Sequence, residues 1–103
     1  MDNNAEIRIA TVKSDAKIVE RIQYLIDHQQ NMIIELAKCN SANSRATARI
    51  WTAQRDGMQT TLRAYNKHGN VDALITPPGY MLDSEREAFL RGVEIANDII
   101  KNA

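Results

Sequence analysis

Apolar side chains return every three or four residues along 14–39, and this spacing constrains the fold more than any other feature of the chain. Ile18, Ile22, Leu25, Met32 and Leu36 advance in steps of four and three, with Gln29 at the one polar position of the series. Val19, Ile26 and Ile33 widen the stripe, while Glu20, Tyr24, Asp27, Asn31 and Glu35 project from the opposite side. A stripe of this period belongs to an amphipathic helix, and about five turns of it need a partner surface of similar length. Gln29 reads as a register device within the seam.

The next segment, KCNSANS at 38–44, is rich in Asn and Ser, which compete for backbone hydrogen bonds and cap helices. A link this short between two long helices predicts an antiparallel hairpin. The second helix, predicted over 44–68, sorts into three faces at about 100° per residue. Ala46, Ile50, Ala53, Gly57 and Ala64 form a narrow face of mostly small side chains. Trp51, Met58, Leu62 and Tyr65 form a face of large ones, and Arg45, Arg49, Thr52, Asp56, Gln59, Arg63 and Lys67 form the third. Two apolar faces call for two partners. Gly57 marks the closest backbone approach, since its cost of about 1 kcal/mol against Ala in a helix is one that packing can offset. The first helix is one natural partner, and the third helix or a second protomer is the other. Trp51, Gly57, Met58, Leu62 and Tyr65 are therefore the candidate interface residues.

His68-Gly69-Asn70 predicts a helix stop at a glycine able to take positive φ. A single turn at Val71–Ile75 and an extended Pro-Pro-Gly turn should follow. Ser84 and Glu87 have the spacing of a capping box, ahead of a third amphipathic helix over 84–101 carrying Phe89, Gly92, Val93, Ala96, Ile99 and Ile100. Residues 1–13 alternate weakly through Ile7, Ile9 and Val12 and read as a mobile or docking arm. The expected architecture is one all-α domain over 1–103, a long antiparallel helical hairpin with a third helix packed on it. A chain of 103 residues leaves much of its surface exposed, which favours a homo-oligomer.

Chemistry-bearing motifs are few. His28, His68 and Cys39 stand apart without metal-ligand spacing, and no phosphate-binding or nucleophile loop occurs. The pairs Glu94/Asp98 and Asp83/Glu87 fit a solvated helix surface better than an acid–base site. Tyr24 and His28 read as cover for neighbouring apolar surface. The PPGY run at 77–80 has the form read by WW domains, but a turn before a helix explains the same residues. Neither catalysis, a cofactor nor a metal is expected. One cysteine, no basic leader before an apolar run, and no stretch near the ~20 apolar residues of a membrane span point to the cytoplasm.

Charge is the strongest functional signal. Residues 41–70 hold five basic side chains against one acid, a net +4, and residues 71–103 hold three against six, a net −3. Arginine's planar fork suits phosphate or carboxylate, so Arg45, Arg49, Arg63 and Lys67 are the candidate ligand-binding residues. Alternatively the acidic C-terminal third neutralises them. A formal net charge of zero argues against a general nucleic-acid-coating protein.

The stretch RDGMQTTLRAYNK, 55–67, resembles phage anti-CBASS proteins, small helical-hairpin oligomers that sequester cyclic oligonucleotide signals. Gly57, followed six residues on by Arg63-Ala64, matches their later hairpin helix. The resemblance covers the hairpin alone, lacks the proline expected after Arg-Ala, and carries over Arg63 only. It implies a phage accessory protein in the host cytoplasm, working by sequestration of a cyclic nucleotide. The rival expectation is a host-protein inhibitor or adaptor with an apolar contact face centred on Trp51, Met58 and Tyr65. Direct nucleic-acid binding ranks third.

Overall fold

A computed structural model describes residues 15–69 and 75–102, and all regular structure among them is helical. Helix α1 spans Ala16–Lys38, α2 spans Ala42–His68 and α3 spans Asp83–Lys101. The proposed arm at 1–13 and most of the turn expected at Val71–Ile75 lie outside the described residues.

Each boundary has a local cause. Asp15 caps α1 by accepting a 2.8 Å hydrogen bond from the Lys17 amide. Ser41 caps α2, its hydroxyl accepting from the Ser44 amide at 3.1 Å. The loop between the two helices is thus only Cys39, Asn40 and Ser41. Helix α2 ends at Gly69, whose φ of 76° lets its amide turn back to the Tyr65 carbonyl at 2.7 Å. A side chain at that φ would be strained. The capping box expected at Ser84 does not form. Helix α3 starts one residue earlier, with Leu82 as an N-cap that makes no side-chain bond. Ser84 is drawn inside the first turn, where Asp83 and Glu85 place negative charge against the helix dipole.

Two apolar clusters hold the helices together. Ile18, Ile22 and Ile26 of α1 pack with Met58, Leu62 and Tyr65 of α2 and Ala96 of α3. Ala53, Met81 and Phe89 make a second, smaller cluster. Ile22 is completely buried and Met58 is 1% exposed, and burial of such side chains contributes about 1.5–3 kcal/mol each. Hydrogen bonds set the α1–α2 register. The Asp15 amide donates to the Tyr65 hydroxyl at 2.9 Å, and Gln29 Nε2 donates to Gln54 Oε1 at 2.7 Å and to the Trp51 carbonyl at 3.2 Å. Arg55 of α2 also reaches Gln30 of α1.

Helices α2 and α3 meet through a reciprocal pair of glycines. A Cβ on Gly57 would overlap the Phe89 carbonyl, and one on Gly92 would overlap the Gln54 carbonyl. Each glycine therefore lies against the other helix's backbone, which allows a spacing closer than the usual 8–10 Å between axes. Thr61, buried one turn beyond Gly57, donates its hydroxyl to the Gly57 carbonyl at 2.9 Å. Both apolar faces of α2 are filled within one chain, by α1 and by α3.

This cover ends partway along α1 and α2. No residue from 27 to 52 is buried, whereas 14 of the other described residues are. The described residues form a three-helix base and a two-helix tip.

Candidate functional site

The tip carries apolar side chains that α3 does not reach. Met32 and Leu36 of α1, Cys39 of the loop and Trp51 of α2 line a groove, with His28, Asn31 and Glu35 along one rim. A contiguous hollow shares His28, Met32 and Trp51 and runs down to Leu25, Met58 and Ile95. The groove therefore prolongs the crease that α3 occupies at the base. Its position follows from the seam of α1, which continues through Met32 and Leu36 beyond Gln29. The Gln29–Gln54 bond forms a polar layer where the base core stops, and a second apolar layer begins above it. Met32 is 38% exposed and Ile50 37%. Glu35 is the one acid on the rim, and Lys38 pairs with it at 3.2 Å.

The five predicted interface residues part company here. Met58, Leu62 and Tyr65 are buried against α1 and α3, and Gly57 is buried against the α3 backbone. They stabilise one chain and offer no surface to another. The contact face centred on Trp51, Met58 and Tyr65 does not exist as a surface, because the third helix of the same chain completes the enclosure of α2. Trp51 alone remains half-exposed, in the groove. Sequence reasoning missed Met32, Leu36 and Cys39 as site residues. The signal was an α1 stripe that continues past Gln29 to Met32 and Leu36, where no α3 residue lines the groove.

The predicted basic stripe is exposed. Arg45, Arg49, Arg63 and Lys67 are all on the surface, on the face that helical spacing turns away from α1. Ion pairs among the described residues are Glu35–Lys38, Arg55–Asp56 and Arg91–Glu94. None joins α2 to α3, so among those residues the acidic third does not quench the stripe. Arg45 donates to the Asn40 side chain at 3.2 Å. Asp56 interrupts the stripe, and its carboxylate accepts from Arg55 at 2.9 and 3.3 Å. The stripe thus divides into two cationic pairs, Arg45/Arg49 and Arg63/Lys67. Fourteen residues separate Arg49 from Arg63, about 21 Å along the helix at 1.5 Å per residue. Four hollows among the described residues, including the groove, are lined without any residue of this stripe.

Other singled-out residues are dispersed. Tyr24 and His28 stack with ring centroids 6.4 Å apart, and both are exposed. Glu94 is engaged by Arg91 at 3.0 Å. Pro77 and Pro78 are half-buried in a turn from which Tyr80 points outward. Among the described residues no three His, Cys, Asp or Glu side chains gather, and no helix is long and apolar enough to cross a membrane.

Among the described residues these elements define an all-α, three-helix arrangement with an apolar tip that α3 does not cover. Scans of protein-family models, curated proteins and solved structures return no significant match to it.

Proposed function

We propose that this is a non-enzymatic helical binding protein that works by occlusion, an adaptor or inhibitor whose contact face is the apolar groove at the hairpin tip. The observation that carries this reading is the groove itself, in which Met32, Leu36 and Trp51 are presented beyond the end of α3. A concave, largely apolar surface with a few polar groups on its rim is the usual form of a recognition site. Trp is also the side chain most suited to anchor a protein contact. The antiparallel hairpin is the arrangement that the Asp15–Tyr65 and Gln29–Gln54 bonds support, and it holds the groove away from the base.

The test uses Trp51 as reporter and anilinonaphthalene sulfonate as an apolar probe. Probe binding should perturb Trp51 emission in the wild-type chain and disappear in Met32→Glu, while Arg49→Ala leaves it unchanged. Probe binding that survives Met32→Glu sinks the groove reading.

A second reading, sequestration of an anionic ligand such as a cyclic nucleotide, is favoured by one observation. Arg49, Arg63 and Lys67 are exposed and lack an acidic partner among the described residues. The gap of about 21 Å between the cationic pairs means that one compact ligand engages one pair only, on a convex face. A thermal-shift screen with cyclic and linear nucleotides decides it. Stabilisation removed by Arg63→Ala supports sequestration, and no shift at saturating nucleotide ends it. A phage origin and a place in host cytoplasm belong to this second reading.

A further inference from the structure

We infer that the occupant of the groove is the tip of a second copy of this chain, so that two hairpin tips pair across a two-fold axis as a short four-helix bundle. The inference rests on the groove reading and names its partner. Both helices of the tip contribute to the unfilled layer, Met32 and Leu36 from α1 and Trp51 from α2. At the base, the same crease is filled by a helix presenting Ile95 and Ala96. A filling element for the tip should likewise be helical and apolar, and a second tip has that character.

Charge offers little opposition to a like partner. Residues 27–50 hold Lys38, Arg45 and Arg49 against Asp27 and Glu35, a net +1. The groove's own acid is already paired to Lys38, so it neither demands a cation nor repels a second copy. A two-fold contact uses the same patch twice and needs no other complement. Packing argues the same way. No side chain across 27–52 is buried, and isolated helical segments of this length are marginal in water. A partner present whenever the chain is present would hold them continuously.

The contact is small. Two helices about 18 Å long and ~20 Å across present a flat face on the order of 360 Å². That is well under the ~800 Å² per partner of a standard interface. The dimer is therefore reversible, with half-association in the micromolar to millimolar range rather than below it.

Sedimentation of the full chain from about 10 μM to about 1 mM tests this, read beside the Trp51 probe titration. Wild-type mass should climb towards twice the monomer. Met32→Glu and Leu36→Glu should raise the dissociation constant at least about tenfold while keeping wild-type helicity. Ile34→Glu, an exposed change on α1 outside the groove, should dimerise like wild type. A chain that stays monomeric throughout overturns self-pairing. If it then still loses the apolar probe through Met32→Glu, the groove reading survives with another occupant. If it does not, both fall. Equal loss of association in Ile34→Glu and Met32→Glu also overturns the two-tip arrangement.

Discussion

The base and the tip of this molecule are made from the same two helices and obey different physics. At the base, three helices enclose Ile22, Met58 and Ala96 so fully that two glycines must admit backbone to backbone. At the tip, about 18 Å of α1 has only α2 beside it among the described residues, and nothing is buried. The polar bond between Gln29 and Gln54 separates the regimes. The difference teaches that hydrophobic periodicity sets which side of a helix is buried, whereas the reach of the neighbouring helix sets how far along it burial extends.

Substitutions should reveal this division by their size. Ile22→Ala removes a completely buried side chain from the base and is expected to cost about 2–5 kcal/mol, measured by denaturant unfolding. Gly57→Ala and Gly92→Ala each force a methyl into the facing backbone. Overpacking of this kind costs about 1–3 kcal/mol, a fall in Tm of about 4–8 °C per kcal/mol for a domain this size. A neutral Gly57→Ala would break the claim that the α2–α3 crossing is backbone-limited. Gln29→Ala should cost about 1–3 kcal/mol, because Gln54 loses its partner in a half-buried layer. At the tip, Met32→Ala and Ile50→Ala should stay within about 0.5 kcal/mol under dilute conditions. Arg63→Ala should leave stability within the same range while reducing any anion binding.

Much of the base was legible in the sequence. The three helices occupy the predicted segments to within two residues at each end, since apolar period and turn residues are local signals. Gly57 as a point of close approach and Gly69 as a stop were readable because each answers a backbone requirement. The identity of the neighbour was not. Facing Gly57 is the Phe89–Val93 backbone of the same chain, and the Met58–Leu62–Tyr65 face turns inward. A face on a helical wheel records that burial is needed without saying which surface supplies it. Ser84 misled for a related reason: Asp83 and Glu85 stabilise an earlier start, so a matching motif sat one position inside the helix. The groove was hidden because it arises from where α3 lies along α1 and α2, and no single segment shows that alone.

The basic stripe illustrates the same limit in electrostatics. Composition alone allowed the net −3 of the C-terminal third to neutralise α2. Placement decides otherwise among the described residues, where Arg91 consumes Glu94 within α3 and Arg55 consumes Asp56 within α2. Neighbours one to three residues apart meet without crossing between helices. The exposed arginines that remain are worth little to stability, as surface charges generally are.

Amide hydrogen exchange of the full chain at two concentrations tests the division most directly. Amides of 53–62 and 89–96 should exchange only through global unfolding and show the same protection at both concentrations. Amides of 29–37 and 45–50 should exchange much faster when dilute and gain protection as concentration rises. Tip amides as protected as the base in dilute solution would contradict the division, because a tip that holds itself needs no partner.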